Sequence, residues 1–198
     1  MKTTLKLIGG LLIGIVVGLA IATVIVVVFT DTSFTEFKDN MLSTDGIEIA
    51  AAALVGVLSF IVSIAILIPI HEAGHLVCGV LTGYKFVSFR VFNLTFIKIN
   101  GIVRVKKFSV AGTGGQCLLS PPDLPIKNIP TTWYNAGGVL ANILMLLLIL
   151  PLFLLKLNLF WAEGLVIFCL TDIFLILMNG IPMKINGISN DGYNIIYL

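Results

Sequence analysis

The stretch IAAAALVGVLSFIVSIAILIPIHEAGH, residues 49–75, joins an apolar run to a short histidine motif. The run from Ile49 to Ile70 carries no charged residue and is long enough to span a bilayer as a helix. His71 and His75, the only two histidines of the chain, stand four residues apart. On a helix they share a face, so both imidazoles can bind one zinc ion beside Glu72. The stretch therefore predicts a metal site of hydrolytic type at the end of a membrane-spanning helix.

The composition places the whole chain in the membrane class. It is 58% hydrophobic and 11% charged, with a mean hydropathy of +1.10, which excludes an ordinary soluble domain. We predict a membrane fold, mainly α, forming a single integral membrane domain over residues 1–198. We expect four transmembrane helices, at about residues 7–29, 49–82 (including the metal-bearing helix), 136–155 and 164–179.

The first of these spans has the basic start of a signal peptide, with Lys2 and Lys6 before the apolar run. That run of about 23 residues exceeds the core of roughly 7 to 15 residues found in signal peptides. We therefore expect it to be retained as a span of a multi-pass protein. The small size of the chain, 198 residues, suggests a prokaryotic plasma membrane.

The basic residues predict the orientation, because Lys and Arg in short loops stay on the cytoplasmic side. With the N-terminus inside, ten of the 12 fall in cytoplasmic segments. These ten are Lys2, Lys6, Lys85, Arg90, Lys98, Arg104, Lys106, Lys107, Lys127 and Lys184. They form a basic face suited to anionic lipid, and no aromatic-interleaved basic cluster points to nucleic acid as a partner.

This orientation also restricts the third metal ligand. The second span enters from outside, so His71 and His75 emerge at the cytoplasmic end, and the segment after the fourth span returns there. Asp191 is the only carboxylate of that segment, and two histidines with one carboxylate are an established catalytic zinc set. Asp172, inside the fourth span, and Cys78, seven residues after His71, are the alternatives for the third ligand.

Two polar residues have predicted roles besides the ligands. Glu72 is the candidate catalytic base, because a carboxylate beside zinc can take the proton of the attacking water and return it to the departing amine. Asn142, six residues into the third span, either bonds across the helix bundle near the site or serves packing alone. The small residues before it, Gly137, Gly138 and Ala141, are expected to pack this helix closely against the metal-bearing one.

The period-two pattern between the second and third spans predicts a β-hairpin over about residues 91–108. Val91–Ile99 and Ile102–Phe108 flank Asn100-Gly101, a dipeptide suited to a type I′ turn. Its edge either holds an unwound substrate by strand addition close to the metal, or only covers the cytoplasmic mouth. Residues 112–130, rich in Gly and Pro, are expected to form a loop.

Three blocks of the chain resemble the site-2 protease family of zinc-dependent intramembrane metalloproteases. They occur in the family's order: His71-Glu72-Ala73-Gly74-His75, then Asn135-Ala136-Gly137-Gly138-Val139-Leu140-Ala141-Asn142, then Asn179-Gly180-Ile181-Pro182 followed by Asp191-Gly192. The resemblance covers about residues 49–192. It implies that His71, His75 and Asp191 bind Zn²⁺ and that Glu72 is the catalytic base. The gap from Pro182 to Asp191 is longer than is common in the family, and nothing resembles an inserted PDZ domain.

The resemblance implies an intramembrane zinc metalloendopeptidase, of the kind that acts in regulated intramembrane proteolysis. Its substrate would be a membrane-embedded or membrane-proximal peptide or protein, cut near the cytoplasmic face. The alternative is a zinc-binding membrane protein that binds a peptide without cutting it, as an immunity or accessory factor. The presence of Glu72 favours the enzyme over that alternative.

Overall fold

The computed structural model describes residues 45–110, 113–155, 157–185 and 187–198. The chain divides into two compact units, Met1–Ala51 and Ala52–Leu198. Nearly all described residues belong to the second unit, and the predicted span at residues 7–29 lies outside them. The prediction of a single membrane domain over the whole chain therefore stays a prediction.

The described part is mainly helical and contains one four-stranded sheet. Its helices are α1 (Gly46–Leu81), α2 (Thr131–Ile149), α3 (Leu159–Gly180) and α4 (Asp191–Tyr197). The sheet contains β1 (Lys85–Val91), β2 (Leu94–Ile99), β3 (Ile102–Lys107) and β4 (Gly115–Ser120), all antiparallel in the order β3-β2-β1-β4. A two-stranded hairpin, β5 (Lys184–Ile185) and β6 (Ile188–Ser189), separates α3 from α4.

Three helices of the described residues are long and apolar enough to cross a membrane: α1, α2 with its flanking 3₁₀ turns, and α3. Helix α3 is longer than the predicted span at residues 164–179, because it begins at Leu159. There the Asn158 side chain accepts a hydrogen bond from the backbone N–H of Trp161, which caps the helix. Glu163 is thus a helical residue and not part of the preceding loop.

Burial in this fold is the reverse of that in a soluble protein. Leu54 and Leu148 are about 60% exposed, whereas Asn142 and Asp172 are completely buried. In water this arrangement would expose large apolar faces at a high cost and hide polar groups without reason. It is the arrangement expected of helices that contact lipid outside and each other through small and polar residues inside.

Glycines bring α1 and α2 into backbone contact. A Cβ atom added at Gly74 would overlap the carbonyl group of Gly137 and the side chain of Ala141, and one added at Gly137 would overlap Gly74 in return. No other residue permits this approach, so the predicted packing of the small-residue block against the metal-bearing helix is confirmed. The contact fixes the position of α2 beside the histidine motif, which begins one turn earlier at His71.

Helix α1 ends at a Schellman motif that turns the chain into the sheet. Gly83 adopts a left-handed conformation with φ of 91°, and the N–H of Tyr84 donates to the carbonyl of Gly79 at 2.9 Å. The predicted turn of the hairpin follows, since Asn100 and Gly101 have φ of 49° and 82°, both positive as a type I′ turn requires.

Two predictions about this region are wrong in part. The expected continuous strand from Val91 to Ile99 is interrupted, because the chain reverses at Phe92, whose φ is 52°, and forms a second hairpin there. The expected loop over residues 112–130 contains strand β4, which pairs with β1. That pairing joins residues from 24 positions apart, Val91 and Gly115, to 35 positions apart, Lys85 and Ser120. Period-two patterning within one short segment does not reveal it.

The glycine contact gives the first prediction. Gly74→Ala forces the two helix backbones apart, so we expect the free energy of unfolding to fall by about 1–3 kcal/mol, the usual cost of overpacking. Thermal unfolding of the protein in detergent measures the change. Gly56→Ala in the same helix is the control, because its new methyl group meets only the ends of the Glu163 and Ile167 side chains, at 3.4 Å. Equal melting temperatures for the two variants would contradict the contact.

Candidate metal centre

The structure brings together the three residues that the sequence nominates as ligands. His71 and His75 project from α1, and Asp191 is the first residue of α4. The Nε2 atoms of the two histidines lie 3.0 and 3.2 Å from Oδ2 of Asp191 and 3.2 Å from each other. Both rings are nearly buried. Among the described residues this is the one group of at least three His, Cys, Asp or Glu side chains that could hold a metal ion.

These separations fit a zinc ion. In tetrahedral zinc sites the nitrogen and oxygen ligands lie about 2.0–2.2 Å from the metal, which places ligand atoms about 3.3–3.5 Å from one another. The three observed separations of 3.0–3.2 Å are slightly shorter, so the triangle needs only a small expansion to receive the ion. Three protein ligands leave a fourth position for water or substrate, which is the pattern of a catalytic site.

The protonation of His75 follows from its second hydrogen bond. Its Nδ1 lies 2.8 Å from the backbone carbonyl of Tyr134, and a carbonyl only accepts, so Nδ1 carries the proton. In the neutral imidazole, Nε2 of His75 therefore presents a lone pair toward Oδ2 of Asp191. Electron pairs that converge in this way suit a bound cation, and metal-binding histidines commonly donate their other N–H to a backbone carbonyl in this manner.

The charge of Asp191 suits the same role. Its burial raises the pKa, but the adjoining imidazoles of His71 and His75 outweigh this and hold the pKa of Asp191 below its usual range. The carboxylate is thus an anion at neutral pH. A negatively charged oxygen with two imidazoles is a donor set that zinc prefers.

Gly138 makes room for the ion. A Cβ atom at this position of α2 would lie 2.5 Å from Nε2 of His71 and 2.5 Å from Nε2 of His75. A side chain there would occupy the space at which the ligand atoms converge. The sequence marks Gly138 as a packing residue only, and its contact with the two imidazoles is a second role that the pattern of small residues did not reveal.

Asn190 places Asp191, and the sequence did not single it out. Its side-chain amide uses its full hydrogen-bonding capacity, donating to two backbone carbonyls and accepting from two backbone N–H groups. The carbonyls are those of Met178 and Ile181 at 2.7 and 2.6 Å, and the N–H groups are those of Met183 and Tyr193, both at 2.9 Å. One residue thereby joins the end of α3 to the start of α4.

The hairpin β5–β6 accounts for the long gap between Pro182 and Asp191. It leads the chain away from the end of α3 and back again, so that Asn190 and Asp191 return beside their starting point. Gly192 then packs against the carbonyl of Gly180, where a Cβ atom would overlap it. The residues between Pro182 and Asp191 thus form a local hairpin, and Asp191 still faces the two histidines.

Glu72 lies beside the ligands and under strand β4. Its carboxylate interacts with the backbone of Cys117 and is within electrostatic range of His71, His75 and Asp191. Gly115 covers it so closely that a Cβ atom there would lie 2.5 Å from Cγ and Oε1 of Glu72. The ligands and Glu72 line a common cavity of about 700 Å³. A carboxylate, three ligands and space for a peptide therefore occur at one place.

A buried arginine fixes the segment that covers Glu72. Arg90 of β1 is only 2% exposed, and its Nη2 donates to Oγ1 of Thr113 at 2.6 Å and to the carbonyl of Gly115 at 3.1 Å. Strand β4 and the residues just before it line the cavity, so Arg90 fixes one of its walls. The free edge of the predicted hairpin is β3, which β2 and β1 separate from β4 and which does not line the cavity, so the alternative of strand addition at this edge close to the metal finds no support.

The other candidates for the third ligand make contacts outside the group formed by His71, His75 and Asp191. Asp172 accepts a hydrogen bond of 2.8 Å from Asn142 and is not part of the ligand group. Cys78 packs against Gly137, where α1 and α2 touch. Cys117 of β4 is also outside this ligand group, and burial and the nearby Glu72 carboxylate raise the pKa of its thiol to about 12. Asp191 is thus the third residue that accompanies the two histidines.

The position of Gly138 gives a prediction about metal content. Gly138→Ala puts a methyl group between the two Nε2 atoms, so bound zinc should fall from about one ion per chain to near zero. Elemental analysis of the purified protein measures this. Gly180→Ala serves as the matched control, since its new methyl group would meet only Val139, at 3.7 Å. Full zinc occupancy in Gly138→Ala would show that the ion binds elsewhere.

Comparison of the chain with protein-family models, with curated proteins and with solved structures gives no match.

Proposed function

We propose that the protein is an intramembrane zinc metalloendopeptidase of the site-2 protease type, which hydrolyses a peptide bond in a membrane-embedded or membrane-proximal substrate. One observation carries the proposal: His71, His75 and Asp191 converge within 3.2 Å beside Glu72, at one end of helices apolar enough to cross a membrane. Structural zinc sites are closed by four protein ligands, whereas three ligands and a neighbouring carboxylate suit hydrolysis.

The residues of the chain divide the reaction between them. When bound, zinc supplies a Lewis acid that polarises the peptide carbonyl and makes water more acidic. Glu72 takes the proton from the attacking water as its oxygen bonds to the carbonyl carbon. The same carboxylate then gives the proton to the nitrogen of the departing amine as the C–N bond breaks. Gly115 of β4 packs against the Glu72 carboxylate, which limits the positions that it can take during both transfers.

We place the site at the cytoplasmic ends of the spans. The sheet that adjoins it exposes five basic side chains: Lys85, Lys98, Arg104, Lys106 and Lys107. Basic residues of short loops stay on the cytoplasmic side and are attracted to its anionic lipid. A substrate would enter the cavity beside β4 in an extended form, because helical backbone shields its peptide bonds with its own hydrogen bonds.

Glu72→Gln tests the chemistry without removing a ligand. The amide cannot take up the proton, so cleavage of a synthetic transmembrane peptide in proteoliposomes should fall by about 10²–10⁴-fold, the usual contribution of a general base, while zinc content stays at one ion per chain. Mass spectrometry of the peptide fragments and elemental analysis of the protein provide the two readouts.

Glu163→Gln is the matched control, because it makes the same chemical change at a carboxylate that faces Gly56, outside the ligand group. It should leave both cleavage and zinc content unchanged. Cleavage that survives in Glu72→Gln would refute the assigned role of Glu72. A wild-type protein that binds zinc and the peptide but never cuts it would favour a non-cleaving accessory protein instead.

A further inference from the structure

A second polar pair lies inside the helix bundle, apart from the ligands. Asn142 of α2 and Asp172 of α3 are both completely buried, and Nδ2 of Asn142 donates to Oδ1 of Asp172 at 2.8 Å. A carboxylate at membrane depth is costly, and such residues usually serve a function. Oδ2 of Asp172 has no hydrogen-bond partner among the described residues, which points to a further partner for this carboxylate.

Three buried polar atoms in this part of the bundle have no hydrogen-bond partner among the described residues: Nδ1 of His71, Oδ1 of Asn142 and Oδ2 of Asp172. Gly138, whose added Cβ atom would meet the His71 ring, lies one helical turn before Asn142, so both lie on the same face of α2. Asn142, with Asp172 bonded to it, therefore belongs to the face of α2 that meets His71.

The hydrogen-bonding capacities of these atoms are complementary. Nε2 of His71 faces the other ligands, so Nδ1 carries the proton and is a donor. The two oxygens are acceptors. One donor and two acceptors are satisfied together by a single water molecule, which accepts once and donates twice, and buried waters typically make about three such bonds.

We propose that Asp172, oriented by Asn142, is the positioning residue for His71 and accepts its Nδ1–H through a buried water. The inference rests on the proposed function, since it concerns the same zinc site. This role would account for a difference between the Nδ1 atoms of the two histidines. His75 donates Nδ1–H to the carbonyl of Tyr134, whereas His71 has no such carbonyl within reach among the described residues. An outer acceptor fixes the tautomer of a histidine ligand and strengthens its bond to the metal.

Asp172→Asn tests the assignment with little change in shape. It removes the negative charge, so the dissociation constant for zinc, measured by competition with a chelator, should rise about 10–100-fold, the usual effect of losing an outer-sphere partner. The visible spectrum of the cobalt-substituted protein should shift as well, because the orientation and basicity of one imidazole change. Neither readout requires activity.

Thr171→Val is the control. It removes the neighbouring buried polar group, whose hydroxyl bonds only to the carbonyl of Ile167 in its own helix. Zinc affinity and the cobalt spectrum should then match those of the wild type within about twofold. If Asp172→Asn does not fold, the same measurements on Asp172→Ser decide the question, since a serine hydroxyl can bond within its own helix as Thr171 does.

The outcomes separate the inference from the proposed function. If Asp172→Asn binds zinc with wild-type affinity and gives the wild-type cobalt spectrum, Asp172 serves packing only and the inference is overturned, even if the melting temperature falls. If the wild-type chain itself binds no zinc, the proposed function fails first. Weakened binding in Asp172→Asn with normal binding in Thr171→Val supports the positioning role.

Discussion

The convergence of three electron-pair donors on one point is the constraint on which the rest of this structure depends. Two imidazole nitrogens and a carboxylate oxygen lie within 3.2 Å of one another in a nearly buried place. Such groups repel unless a cation lies between them. Three separate contacts hold them in place. The Tyr134 carbonyl orients the His75 ring, and the Asn190 amide positions the Asp191 carboxylate. Gly138 leaves the space between the three donor atoms free.

The helices are apolar enough to cross a membrane, and a lipid environment would account for how the fold supports such a site. Apolar side chains on the outside give no force for helix association in lipid, so the helices depend on close backbone contact and on polar groups between them. Gly74 and Gly137 supply the first, and the Asn142–Asp172 pair supplies the second. Gly74 lies within the histidine motif, and Asn142 lies one helical turn after Gly138, which adjoins both imidazoles. The interactions that stabilise the bundle therefore also position the candidate site.

The parts of this arrangement that are local in sequence were predictable. The apolar runs predict the helices, the four-residue spacing brings His71 and His75 to one face, and Asn100-Gly101 predicts the turn. The parts that depend on distant segments were not. Strand β4 forms because β1 offers it a partner, and Asn190 acts through backbone groups on both sides of a hairpin. Neither leaves a periodic pattern, so only the three-dimensional structure shows them.

X-ray absorption spectroscopy of the zinc-loaded protein in detergent measures the ligands of the bound ion. We expect one zinc ion per chain with four nitrogen or oxygen ligands at about 2.0–2.2 Å, including the outer-shell scattering of two imidazoles. In Asp191→Ala the two imidazoles should remain while an oxygen ligand is lost or replaced by water. A sulfur ligand at about 2.3 Å, a single imidazole, or no bound zinc would contradict it.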